Sequence, residues 1–420
     1  GWRTITSLPF PPLRSYGRSE YLLERGQKYE SGPSQKSNCN CRGGLHPAGE
    51  NTRPYSRWVS HRSHPKCHFG IEKAEIDGLL LYRHFEPLAG DYDVSAFTVA
   101  EQLGIRPSII GQETYCTRGW LFNSIGLLTS GLCRYVVLSY GDNARSARRS
   151  FVKELEGDQA TDELAAFGDL STMAKYSMQA RRAMETYGTG PDVWKEIAIA
   201  QRSWACLNPR AGMYGKPLDD KDYYDSDMVA EPLRLLDATP NSDGGRAIVL
   251  TTVKRAKALG RPYAMLRGFG SANQPISPFR MSVEDPASAA FLASRQAFVM
   301  AGITPKDVDV CELYDCFTYT VEATLRDYGF FQPKEVRDFL RRERLGPGGE
   351  LPVNTSGGML SEAYFMGLTP VSEGVMQLTG RCGERQLGVI PNTKEPSIVV
   401  CSDNGAVLQS HITLVLERGA

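Results

Sequence analysis

The sequence predicts an α/β fold, with a mixed, mostly parallel sheet under helical cover, built as two similar halves with a helical unit inserted in the first. Three observations carry this. From Ile71 to Gly141, β-branched or leucine-rich runs alternate with helix-patterned segments, the order expected of a parallel sheet. From about residue 271 to the end the same order returns, which implies internal duplication. Between them, residues 143–235 change to long helical patterns and a turn-rich stretch.

Composition bounds the possibilities. At 420 residues the chain can bury a large core and divide into two or three units. A hydrophobic content of 41% with 23% charged residues is ordinary for a soluble globular protein. No apolar run approaches the ~18–20 residues needed to span a bilayer. Ten cysteines are too dilute for a disulfide scaffold, and no apolar signal core opens the chain, so reduced thiols and a cytoplasmic location are expected.

Residues 1–70 do not read like the rest. They hold 11 Lys+Arg against 4 Asp+Glu, a net +7 that leaves −7 for the remainder of a neutral chain. They are rich in Ser, Pro, Gly, Asn and Arg, and neither structural period persists, so an atypical, poorly ordered basic segment without an opening strand is expected. Cys39, Cys41, Cys67 and His68 invite a zinc reading, but they form no paired Cys-x-x-Cys, and no metal site is expected. Nor does the segment carry a nucleic-acid-binding pattern.

From Ile71 the elements can be taken in order. IEKAEIDGLLLY reads as a helix end, a turn at Asp77-Gly78 and a buried strand. VSAFTVAEQLG is a helix stopped by Gly104, Ser108–Ile110 a strand, GWLFNSIGLLTSG a helix ending at Gly131, and RYVVLSYG a strand closed by Gly141. Two helical patterns follow in the inserted unit, and Ala247–Thr252 returns to the sheet. The second half opens with the helix PASAAFLASRQAFVMAGI, continues through the strand VDVCELYD and the helix FTYTVEATLRDYGF, and closes with strands SIVVCSDNG and SHITLVLE.

The chemistry concentrates in Leu351–Gly380. Asn354, Thr355, Ser356, Gly357 and Gly358 form a loop whose glycines tolerate positive φ and whose main chain can approach a ligand. A helix follows, with Val371, Val375, Met376 and Leu378 on its buried face and Gly380 as its stop, and Tyr364 stands at the join. Histidine is unavailable here: the six are at 46, 61, 64, 68, 84 and 411. Chemistry in the middle of the chain must therefore use Tyr, Cys, Asp, Glu, Lys or water.

This stretch resembles the C-terminal active-site loop of the thiolase superfamily, where Ser-Gly-Gly leads into Gly-His-Pro and Leu-Gly. The overlay puts the histidine on Tyr364 and the proline on Phe365, with Gly367 in register. Glu312–Phe317, ELYDCF, resembles the thiolase Asn-Glu-Ala-Phe segment, with Tyr314 for the asparagine and Asp315 for the glutamate. The subgroup most resembled is the thiolase-like aldolases of bacterial steroid side-chain degradation, relatives of the sterol-carrier-protein-X thiolases. The resemblance covers about residues 71–420. It implies a thiolase fold in αβαβα layers, with a first half at 71–270 containing a loop domain at 143–235, and a second half at 271–420.

By resemblance, Tyr314 and Tyr364 are catalytic phenols facing one pocket, brought together by the two halves, and Cys401 stands where thiolases keep an acid/base cysteine. Asp315, Ser356, Gly357, Gly358, Cys116 and Gly405 are implied at the substrate, with the loop N–H groups on the thioester oxygen. Ungapped counting places the thiolase nucleophile on Thr114, so Cys116, two residues on, is read as a packed or pocket-lining thiol rather than a nucleophile. The implied reaction is retro-aldol cleavage of a β-hydroxyacyl-CoA. One phenol would act as base and need its pKa lowered, and coenzyme A would enter as part of the substrate with no further cofactor. A homodimer and a separate OB-fold, zinc-bearing partner are implied as well. Two alternatives stand beside this reading: a CoA-dependent thiolase or acyltransferase using Cys116 or Cys401, and a non-catalytic acyl-CoA-binding scaffold.

Overall fold

The computed structural model describes residues 21–25, 71–82, 96–113, 116–146, 172–274 and 288–419. The candidate zinc residues Cys39, Cys41, Cys67 and His68 therefore lie outside the described residues, as does Thr114.

The first half contains β1 (Tyr21–Arg25), β2 (Ile76–Tyr82), α1 (Ala96–Leu103), β3 (Ile109–Glu113), α2 (Cys116–Thr129) and β4 (Tyr135–Asn143). Two helices of the insertion follow, α3 (Thr172–Tyr187) and α4 (Pro191–Cys206), with a small ribbon of β5 (Met228–Ala230) and β6 (Leu233–Arg234). β7 (Asp243–Thr252) completes this half. The second half is β8 (Ala264–Asn273), α5 (Ala289–Ala301), β9 (Val310–Glu312), α6 (Thr318–Asp327), α7 (Leu368–Leu378), β10 (Ile398–Gly405) and β11 (Ser410–Arg418).

Nine of these strands hydrogen-bond in the order β3-β2-β4-β7-β1-β8-β11-β10-β9. In the first half β7 alone runs against its neighbours, and in the second β11 does the same. Val353 forms a parallel bridge to Cys311 beyond β9, in the place that β3 holds beyond β2. The two halves thus share one strand order and one orientation, the duplication expected from the repeated pattern.

Strand alternation explains the layers. Leu79, Leu81, Val137 and Val249 pack under α1, whereas Leu80, Leu138, Ile248 and Leu250 turn to the other face. There they meet Leu121 and Leu128 of α2 and Val371, Val375 and Leu378 of α7. Val399 and Leu414 of the second half close on the same helices, while Val400 and Val415 face outward to Ala290 and Ala297 of α5 and Val321 and Leu325 of α6. Helix, sheet, central helix pair, sheet and helix is the αβαβα arrangement expected.

Two expectations change. An opening strand is present after all: Tyr21–Arg25 pairs antiparallel with both β7 and β8 and joins the two halves. Asp77-Gly78 is no turn either. β2 runs through it, and Asp77 instead receives the main-chain N–H and side chain of Arg134. Gly78 lies so close to β4 that a Cβ would stand 3.0 Å from Val136 Cγ2.

Candidate active site

The loop before α7 is built from β9 outward. Asn354 donates its N–H to the Cys311 carbonyl at 2.9 Å, and its side-chain oxygen accepts the Leu313 N–H at 2.6 Å. Left-handed backbone then turns the chain, with φ at 53° for Asn354, 101° for Gly357 and 62° for Gly358. A Cβ on Gly357 would come 2.6 Å from Ala205 Cβ of α4, and one on Gly358 would overlap the Asp315 carboxylate. Both glycines are therefore required by φ and by space together.

The two predicted phenols meet. Tyr314 Oη and Tyr364 Oη lie 2.8 Å apart, their rings edge to face with centroids 6.3 Å apart. Both phenols come from the second half, as their positions within 271–420 require. The first half instead holds the main chain, since Ser242 Oγ, just before β7, accepts the Tyr364 N–H at 3.0 Å. Tyr314 donates its N–H to Ser402 Oγ of β10 at 3.0 Å, and Met366 Sδ accepts from the Tyr364 hydroxyl. Tyr314 is buried and Tyr364 half-buried.

Neither phenol has the lowered pKa expected of a base. Burial pushes both upward, aided for Tyr314 by Tyr364 and Cys316 and for Tyr364 by Cys316 and Asp403, and the hydrogen bond from Tyr314 offsets only part of the rise on Tyr364. Both are neutral at physiological pH.

A third phenol escaped the sequence reading. Tyr176, on α3 of the insertion, donates to Asn404 Oδ1 of β10 at 3.1 Å and stacks on Phe317 at 4.5 Å. It lies near enough to Cys316, Tyr364 and Asp403 for each to raise its pKa, after burial itself. Among the described residues Asn404 Nδ2 has no hydrogen-bond partner, although the residue is only 3% exposed. A buried donor left unmet costs ~1–3 kcal/mol, so its retention calls for an explanation. No local pattern could have paired residues 228 apart in sequence. The β10–β11 hairpin beside it turns through three consecutive non-glycine residues of positive φ, Ala406 (50°), Val407 (55°) and Leu408 (65°), a strained conformation of the kind that collects at functional sites.

The other predicted site residues stand behind the phenols. Asp315, expected at the substrate, is fully buried, and its two oxygens accept the N–H groups of Met359 and Leu360 at 2.9 and 3.2 Å. Burial raises its pKa to about 7 against the pull of those bonds. Within the loop, Gly357 N–H bonds the Asn354 carbonyl at 2.8 Å and Gly358 N–H bonds Ser356 Oγ at 3.3 Å. Cys401 is fully buried beneath α7, its thiol 3.7 Å from the Pro370 carbonyl and its pKa pushed well up by burial and by Glu312. That is a packing position rather than that of a proton donor at the phenols. Gly405 ends β10 opposite Ser410. Cys116 opens α2, but its side chain lies outside the described residues.

Two buried charge clusters brace this architecture. Arg246 of β7 pairs with Glu362 at 2.5 Å and lies over the Phe365 ring, and Asn208 Nδ2 reaches the same Glu362 oxygen. Below the loop, Thr355 Oγ lies 2.7 Å from Glu312 and 3.0 Å from Glu373, while Arg385 grips Glu373 through two nitrogens. A cavity of about 600 Å³ lined by Lys257, Arg261, Thr379 and Arg418 sits at the C-terminal end of α7, away from the phenols at its N-terminal end. Among the described residues no helix is long and apolar enough to cross a membrane.

The fold is that of a thiolase-like α/β enzyme, with the paired phenols of Tyr314 and Tyr364 at its candidate site. Residues 278–418 match the family described as thiolase C-terminal domain-like. A steroid side-chain-cleaving aldolase of Thermomonospora curvata is 31% identical over 327 residues, 74% of this chain and 82% of that one. A 17-hydroxy-3-oxo-4-pregnene-20-carboxyl-CoA lyase of Mycobacterium tuberculosis is 37% identical over 212 residues, 49% of this chain and 55% of the other. Among solved structures, a Ltp2-ChsH2(DUF35) aldolase superposes with a TM-score of 0.72 at 28% identity, covering 83% of this chain and 88% of that one. A monomeric SCP2-thiolase like protein type 1 from Mycobacterium smegmatis, at 15% identity and a TM-score of 0.64 over 96% of this chain and 77% of its own, shares the fold. The chain belongs to the thiolase superfamily, in the sterol-carrier-protein-X-like branch that contains the thiolase-like aldolases, and it is a lyase of the retro-aldol class.

Proposed function

We propose that this chain cleaves a β-hydroxyacyl-CoA with a steroid-derived acyl group into a ketone and a shortened acyl-CoA, with Tyr314 and Tyr364 acting as a neutral proton relay. The observation that carries this is the 2.8 Å contact between two un-ionised hydroxyls where relatives of thiolase keep their acid/base groups. Cleavage must take the proton from the β-hydroxyl oxygen and deliver one to Cα. In the relay, the β-hydroxyl proton passes to one phenol oxygen, that phenol's proton crosses to the second, and the second phenol's proton reaches Cα. Meanwhile the Cα–Cβ bond breaks, its electron pair shifts toward the thioester, and the β-carbon becomes a carbonyl. Atoms and charges balance, and both phenols end as they began. No ionised tyrosine is required, which fits pKa values raised by burial.

The relatives support the remaining parts. The named substrate of the mycobacterial lyase is a steroid carboxyl-CoA, and the solved aldolase carries a DUF35 partner in its name. By analogy this chain forms a thiolase-like dimer, works in the cytoplasm and associates with an OB-fold, zinc-bearing partner, with coenzyme A entering as part of the substrate.

Incubation with a tertiary β-hydroxyacyl-CoA, with no free CoA, should release ketone and shortened acyl-CoA in equal amounts. Cleavage only of a β-ketoacyl-CoA, dependent on free CoA and lost in Cys116→Ala, would replace the lyase reading with a thiolase one.

A further inference from the structure

We propose that the Asn404 carboxamide, steered by Tyr176 of the insertion, is the hydrogen-bond donor to the thioester carbonyl oxygen of the acyl-CoA. The proposal rests on the acyl-CoA reading above. Breaking Cα–Cβ pushes charge onto that oxygen, and a fixed donor in a dry site answers such charge best. The N–H groups of Gly357 and Gly358 are already bonded within the loop and are not free for this role.

Asn404 has the missing property. Its Nδ2 is buried and unpartnered while its Oδ1 is fixed by the Tyr176 hydroxyl at 3.1 Å. With the Tyr176 hydroxyl donating to Oδ1, the amide nitrogen is the other end of the carboxamide. The position fits as well. Ser402, two residues earlier on β10 and therefore on the same face, holds the Tyr314 N–H. Two residues of strand span about 7 Å, so Asn404 stands about that far along β10 from Ser402. Cross-strand pairing with His411 and the left-handed turn at 406–408 fix the backbone on either side.

The test uses the full chain and propionyl-CoA labelled with ¹³C at the carbonyl, read by infrared difference spectroscopy, together with the cleavage assay. In the wild type the bound carbonyl band should fall below its position in water. Asn404→Leu should abolish that shift and lower kcat by about 10²–10³-fold with KM little changed, the loss typical of removing one oxyanion donor. Asn404→Asp keeps the volume and the acceptor for Tyr176 but has no donor, so it should lose the shift too, and it serves should the leucine variant fail to fold. Tyr176→Phe should weaken the shift without abolishing it. A wild-type band at its aqueous position, or one unmoved in both Asn404 variants, overturns the proposal. A wild type that shows the Asn404-dependent shift yet cleaves no β-hydroxyacyl-CoA overturns the reaction assigned above and leaves this donor standing.

Discussion

Two buried pairs flank Phe365, and they are built on opposite principles. Tyr314–Tyr364 is a contact between neutral groups, each kept neutral by burial. Arg246–Glu362 is a contact between opposite charges, both side chains 2% exposed. A neutral hydrogen bond contributes only ~0.5–1.5 kcal/mol net, and removing one buried partner costs ~1–3 kcal/mol through the group left unmet. A buried ion pair cannot be halved in the same way, because the surviving charge is left in a poor solvent. The contrast teaches where this protein keeps chemistry and where it keeps stability. The reacting groups are neutral and dispensable to the fold, and the charges that fix their positions lie one step behind.

The largest expected effect tests the first side of that contrast. Tyr364→Phe and Tyr314→Phe should each lower kcat by about 10²–10⁴-fold, as expected on removing a general acid or base, with KM little changed. Either variant should unfold in urea within about 1–3 kcal/mol of the wild type. A variant that loses several kcal/mol of stability but keeps its rate would break the comparison.

Arg246→Ala tests the other side. It takes the paired guanidinium away from the buried Glu362 carboxylate, which Asn208 also contacts, and should cost about 3–5 kcal/mol of unfolding free energy in a urea titration. Arg246→Met with Glu362→Leu removes both charges and should recover much of that loss. Equal losses in the single and double variants would mean that packing around Phe365, not charge, supplies the stability.

Most of the fold was legible because burial writes a period into the sequence. Val371, Val375 and Leu378 announced the central helix, and strand alternation announced the sheet faces. β1 was not legible. YLLER is five residues long with two charges, and its strand identity comes from β7 and β8 on either side, not from any pattern of its own. Asp77-Gly78 failed the other way: a strong local turn signal yields to close packing on Val136. At the site, the phenols were found because each falls at a position of known chemistry. Tyr176 and Asn404 were missed because their contact is made only by the folded insertion. Asp315 and the Ser356–Gly358 loop were placed at the substrate by resemblance, whereas the Asp315 oxygens accept the Met359 and Leu360 N–H groups and the Gly358 N–H bonds Ser356 within the loop.

Asp315 gives the smallest effect and the finest test. Its carboxyl, behind the loop, has a folded pKa of about 7, whereas an unfolded aspartate titrates near 3.9. The folded state therefore binds the proton more tightly, so the contribution is fully present below about pH 4 and is lost as pH rises through 7. Between pH 5 and pH 7 the loss amounts to about 2 kcal/mol from this group. In Asp315→Asn, which cannot titrate, unfolding free energy plotted against pH should lose that downward slope relative to the wild type. Parallel curves would mean that Asp315 is ionised in place, with the Met359 and Leu360 N–H groups sufficient to hold its charge, and that the neutral character of the phenol region ends at the loop rather than extending behind it.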